Sequence, residues 1–124
     1  MALDEIFPAA EKHNVGLVTA TPIERGLLVT GPVEGTEYLA RNFSQECLDH
    51  VATIQQLCND YNLPMIAVAL QWCTRHPLVA STIPGARLPE EAKISMNAAQ
   101  VEIPDNFWID LEPMIKHFDT IIPE

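Results

Sequence analysis

Positive charge is scarce in this chain: 7 lysines and arginines stand against 17 aspartates and glutamates, a formal net charge of -10 at pH 7. A surface of that sign repels a polyphosphate backbone and no basic stripe offsets it, which argues against a nucleic-acid ligand. Cysteine is scarce too. Cys47, Cys58 and Cys73 are an odd number without framework spacing, which argues against a disulfide-built fold and fits a reducing compartment. No apolar run approaches the roughly 18 residues of a membrane span. The opening Met1-Ala2-Leu3-Asp4-Glu5 has no basic region ahead of an apolar one, so neither a signal nor a transit peptide is expected and the cytoplasm is the expected location. Internal repeats and low-complexity tracts are absent. What is present is a 124-residue chain, 48% hydrophobic with mean hydropathy +0.06. It has room for one globular domain with a modest core that buries roughly two-thirds of the unfolded surface.

The pattern along the chain alternates helix and strand. Leu3, Ile6, Phe7 and Ala10 have the spacing of a helix that buries one face over Leu3 to His13, and Asn14 suits the left-handed cap that ends it. Val15 to Thr21 is β-branched and apolar with little alternation, as expected of a parallel strand covered on both sides, and Pro22 ends it. Gly31 to Asn42 has no period and reads as a long irregular loop, a type more often functional or mobile than merely connecting. Ser44 is placed to cap a helix whose Cys47, Val51, Ile54, Cys58 and Tyr61 recur every three or four residues. A second helix starts near Pro64; its run Met65 to Trp72 is apolar nearly all round and predicts burial on most sides. Leu78 to Ile83 is the second buried strand. Helices follow from about Pro89 to Ala99 and from about Pro104, with Pro113 kinking or ending the last. The class is α/β, with two parallel strands joined by a right-handed crossover and about five helices.

The turn Ile83-Pro84-Gly85-Ala86-Arg87 combines three devices for holding phosphate. Gly85 permits close approach of the backbone, the following helix aims its N–H groups and positive dipole end at an anion, and Arg87 adds a fixed charge. Its bland alternative is a plain strand-to-helix turn with a surface arginine. Thr21-Pro22-Ile23-Glu24-Arg25-Gly26-Leu27-Leu28 stands at the corresponding end of the other strand, and carboxyl ends of parallel strands share the ligand-binding rim. A competing pattern, Cys47-x-x-His50 with Cys73-x-x-His76, offers four zinc ligands in principle. Both cysteines belong to apolar helical stripes, however, so no metal is expected. Ser44 and Ser81 lack the local pattern of an activated nucleophile. Glu90 with Glu91, and Asp4 with Glu5, read as solvated first helical turns. Tyr38 and Tyr61 qualify as proton donors only beside a lysine or histidine.

These residues resemble a known family. Val15-Gly16-Leu17-Val18 with Thr21-Pro22-Ile23 and Gly26-Leu27-Leu28, Ala69-Leu70-Gln71-Trp72 with Arg75-His76-Pro77, and Val79 through Arg87 are similar to the C-terminal part of the aldo-keto reductases. Val101-Glu102-Ile103-Pro104 and Phe107-Trp108 extend the likeness, which spans Leu3 to Phe118 and lies nearest the aldose 1-dehydrogenases that oxidise fucose, arabinose or galactose. The resemblance implies a (β/α)8 barrel, a fold of about 250 residues, of which this chain supplies strands seven and eight. It implies an NAD or NADP cofactor, with Thr21, Pro22, Ile23, Gly26 and Leu28 along its pyrophosphate. Ile83, Gly85, Ala86, Arg87 and Glu91 would hold the adenosine half, with Arg87 near the ribose 2′ position. Ser95 and Ile94 stand where the family usually has Asn and Glu, and Glu91 where Gln is common, departures expected to weaken or alter the cofactor contacts.

The family's catalytic aspartate, tyrosine, lysine and histidine lie on earlier strands, so no residue here is assigned catalysis and the chain by itself is expected to be inactive. The reading is the cofactor-binding C-terminal part of an NAD(P)-dependent reductase that oxidises a sugar to its lactone, acting on a small sugar or aldehyde in the intact enzyme. The alternatives are a short non-catalytic binding or assembly module built on the same fold, self-associated through open strand edges, and a gene fragment that never folds.

Overall fold

The computed structural model describes residues 2–38 and 41–118. It opens with a wide π-type turn over Ala2–Ile6 and tightens into α1 (Phe7–Lys12), where Pro8, which lacks an N–H, is harmless in the first turn. Asn14 takes φ 53°, the left-handed conformation expected of it. The chain then enters β1 (Leu17–Ala20), shorter than the Val15–Thr21 run because Thr21 turns to φ 58° and leaves the sheet.

A 3-10 turn (Glu24–Gly26) leads into the four-residue α2 (Leu27–Thr30), a stretch the sequence pattern leaves unassigned. The irregular segment after Gly31 contains one isolated antiparallel bridge, Tyr38 to Arg41. Leu39 and Ala40 of that loop, and Met1, lie outside the described residues. Ser44 caps α3 (Gln45–Asp60) as its position predicts, its Oγ accepting the Cys47 N–H at 3.1 Å. Pro64 stands at the N-cap of α4 (Met65–Thr74), followed by β2 (Val79–Ile83), α5 (Pro89–Ala98) and α6 (Asp105–Leu111). Beyond Leu111 the helix tightens to a 3-10 turn over Glu112–Met114, where Pro113 removes an N–H.

The two strands are parallel and adjacent, with Ala20 paired to Ile83 at their carboxyl ends. The core is built from helices rather than around the sheet. Phe107, Leu27 and Cys58 are fully enclosed, joined by Val51, Met65, Val68 and Trp108, while Ile66, Ala67, Leu70 and Ala98 close a second cluster between α4 and α5. Phe107 meets Tyr61 and Trp108 edge to face at 5.3 and 5.6 Å. The Gln71 amide, from α4, donates to the carbonyls of Ala98 (3.1 Å) and Val101 (2.7 Å), which fixes the end of α5. α4 is buried from Met65 to Leu70, but Trp72 is 39% exposed.

The strands depart from the continuous burial their composition suggests. Val79 is buried, yet Val18 and Ile83 are 59% and 58% exposed. Val18, Ala20 and Ile83 mark the exposed face of the pair. Two strands cannot curl into a closed barrel, so the face that a barrel would turn inward stays open.

Candidate functional site

Because Ala20 and Ile83 are register partners, the turns that follow them leave the sheet side by side. Between them lies a cleft of about 810 Å³. Thr21, Ile23 and Gly26 line it from the β1 side, and Ile83, Gly85, Ala86, Arg87, Glu91 and Ser95 from the β2 side. Two other sequence-expected residues lie elsewhere. Pro22 is buried beneath the turn, and Leu28 packs against the helical core.

The β1-side turn is held in sparsely populated backbone conformations. Thr21, Glu24 and Arg25 have φ of 58°, 42° and 54°, and Gly26 completes the run at φ 99°, where a Cβ would be strained. Backbone bonds from Gly26 N and Leu28 N to the Ile23 carbonyl (3.0 and 3.2 Å) lock it. Glu24 pairs with Arg41, which ties this turn to the far end of the Gly31–Asn42 loop. Arg25 of the β1-side turn also lines the cleft, and that loop brings to it Thr36, Glu37 and Tyr38, which the motif reading missed. No local spacing marks them, since they arrive through a loop without period.

The β2-side turn is open. Gly85 needs no left-handed φ, and a Cβ built on it would meet nothing within 4 Å, so no contact within the chain requires a glycine there. Arg87, its side chain 79% exposed, is engaged by Glu91: Nη2 donates to Oε1 at 2.9 Å and the Arg87 backbone N–H donates to Oε2 at 2.6 Å. The second contact resembles half of a capping box, a carboxylate at the third helical position reaching back over the helix start. These bonds, the backbone one foremost, hold the Glu91 carboxyl below its ordinary range.

Other candidates are structurally occupied. The Tyr38 hydroxyl donates to the Gly31 carbonyl and accepts the Val33 N–H, both at 2.9 Å, and Tyr61 donates to Asp110 at 2.5 Å, so neither faces a lysine or histidine in these contacts. Of the two Cys-x-x-His pairs, Cys47 is in the core and His50 Nε2 bonds the Met114 carbonyl at 2.7 Å, while His76 stacks edge to face on Phe7 at 4.5 Å. No group of three or more His, Cys, Asp or Glu side chains able to hold a metal ion occurs among the described residues. Burial raises the thiols of Cys47 and Cys73, and pushes Cys58 up to about 11, the opposite of a reactive thiolate. No helix among the described residues is long and apolar enough to cross a membrane.

The sequence model of the Aldo/keto reductase family matches residues 2–116. A pyridoxal 4-dehydrogenase of Microbacterium luteolum is 28% identical over 107 residues, 86% of this chain and 31% of its own length. A D-threo-aldose 1-dehydrogenase of a Pseudomonas species is 28% identical over 111 residues, 89% of this chain and 34% of its own. Among solved structures, the holo form of an aldo-keto reductase from Bacillus halodurans superposes with a TM-score of 0.70 at 27% identity, covering 91% of this chain and 38% of that one. The chain thus spans about a third of the length of the curated relatives it matches.

Proposed function

The chain belongs to the aldo/keto reductase family, and on that premise we propose that it is the cofactor-side part of an NAD(P)-dependent oxidoreductase. The observation that carries the reading is the pairing of Ala20 with Ile83, which sets two glycine-bearing turns on one rim with a cleft between them. Ligands of parallel α/β folds bind at such strand ends, and the cleft's volume is in the range of small-molecule sites. The residues suit the group chemically. Gly26 and Gly85 leave the backbone bare where phosphate must come close, and Arg25 and Arg87 are the cationic lining. A bound nicotinamide dinucleotide would supply the hydride acceptor. The chain's own part is to hold its phosphates near Thr21, Ile23 and Gly26 and its adenosine near Ile83 to Arg87, Glu91 and Ser95.

The substrate in the whole enzyme would be a small sugar or aldehyde, with an aldose oxidised at its anomeric carbon to the lactone. The two dehydrogenase relatives support that class, one named for an aldose and the other for pyridoxal. This reading assigns no catalytic role to the described residues. The test starts with the intact mass of the native protein, against the 13.8 kDa of these 124 residues. A polypeptide longer by about 200 residues, enough to complete a barrel, should bind a nicotinamide dinucleotide and oxidise an aldose; one that does neither refutes the reading.

The exposed strand face of Val18 and Ile83 favours a second reading, a short non-catalytic module that self-associates over that face. A native mass near 13.8 kDa with a dimer in sedimentation would support it, and a stable monomer of that mass would count against it.

A further inference from the structure

The two walls of the cleft differ in what they offer an anion. On the β2 side, the donors placed for phosphate already face a carboxylate: both the guanidinium and the backbone N–H of Arg87 donate to Glu91. The first turn of α5 adds little. Pro89 has no N–H, and those of Glu91 and Ala92 are directed at the Leu88 carbonyl. Lys93, the cation of α5, is not in the cleft's lining, and one turn further on Ile94 and Ser95 bring no charge. Glu37 adds a second carboxylate to the lining, so the charges of Arg25 and Arg87 are matched by those of Glu37 and Glu91.

From this we propose that Glu91 sets the cofactor preference, making the cleft select the dinucleotide with an unmodified ribose, NAD(H), over the 2′-phosphorylated NADP(H). The proposal rests on the reading of the cleft as a nicotinamide dinucleotide site with its adenosine half near Arg87. A ribose 2′-hydroxyl is a donor, and the Glu91 carboxylate, with about four lone-pair sites, has room for it beyond its two bonds from Arg87 and the pull of the Leu88 N–H. A 2′-phosphate, with a second pKa of about 6, is mostly doubly ionised at neutral pH and brings charge where the hydroxyl brings a donor. It would meet the Glu91 charge at short range and would have to displace it from Arg87 to gain that arginine. The depressed acidity range of Glu91 keeps it ionised through neutral pH, so the discrimination holds there.

The test is fluorescence titration of the native protein with NADH and with NADPH, in the wild type and in Glu91→Gln. The wild type should bind NADH about tenfold more tightly than NADPH, the scale of one charge repulsion at a solvent-facing site. Glu91→Gln should tighten NADPH by a similar factor and weaken NADH a few-fold, because the amide keeps an acceptor for the 2′-hydroxyl but loses the charge that strengthens the bond. Equal or tighter NADPH binding by the wild type overturns the proposal, as does a variant whose NADPH affinity does not move. If the variant fails to fold, competition of 5′-ADP against 2′,5′-ADP on the wild type decides the same point, a preference for 2′,5′-ADP refuting it. Wild-type protein that binds neither dinucleotide refutes the site itself, an outcome distinct from binding both with the wrong preference.

Discussion

Truncating Phe107 and truncating Val18 to alanine should have very different costs, and the contrast tests where the core of this chain lies. Phe107 is 0% exposed and touches Tyr61 and Trp108 edge to face; losing the ring removes both contacts and leaves a cavity among α3, α4 and α6. Such truncations cost about 3–5 kcal/mol, a large share of the roughly 5–15 kcal/mol that holds a domain together. Val18 is 59% exposed on the open strand face. Its two lost methylene equivalents would be worth about 1.6 kcal/mol if fully buried; with under half the side chain covered, Val18→Ala should cost less than about 0.8 kcal/mol. Urea unfolding followed by tryptophan fluorescence, reporting Trp108 in the core, measures both, provided the m-value is unchanged. A cost of about 2 kcal/mol or more for Val18→Ala would refute the open-face description and mean that something covers that strand in solution. A cost below about 1 kcal/mol for Phe107→Ala would refute the helical core.

Three further outcomes follow from single contacts. Gly31 has φ 73° with ψ -174° and an added Cβ would run into the Gln55 amide, which itself donates to the Thr30 carbonyl; Gly31→Ala should lose about 1–3 kcal/mol in the same urea assay. Thr19 Oγ1 is buried without a hydrogen-bond partner among the described residues, so Thr19→Val, which replaces the hydroxyl by a methyl, should be neutral or stabilise by about 1 kcal/mol in thermal melts. The Cys58 thiol titrates near 11 when folded against 9.0 unfolded, so the folded state holds its proton more tightly and stability is fully present below pH 9. It should fall as pH rises from there toward 11, by up to about 2–3 kcal/mol, and the fall should shrink in Cys58→Ala.

Local chemistry made several elements legible in the residues. Ser44 sits one position before a clean three-and-four repeat, and α3 begins after it with the Ser44–Cys47 bond in place. β2 and its glycine turn were marked by a β-branched run that ends in Pro84-Gly85. The four-residue α2 could not be read, because one helical turn holds too few residues to show a period. Nor could the positive φ of Thr21, Glu24 and Arg25, which tertiary packing imposes on residues that do not prefer it. Arg87 and Glu91 are both candidate site residues in the sequence, but the motif shows only their spacing. That Glu91 reaches back to the Arg87 N–H appears only once the helix start at Leu88 is known. The exposure of Val18 and Ile83 has a different origin: a β-branched, apolar run marks a strand but does not show how many of its faces are packed.

The central claim is that the turns after β1 and β2 form one dinucleotide site. Titrating NADH into isotope-labelled protein and following the backbone amides of Gly26 and Gly85 tests it directly, because each reports one turn of the cleft. Both should shift saturably with a common dissociation constant. If neither moves at millimolar ligand, or only one does, the two turns do not share a ligand and the account is contradicted.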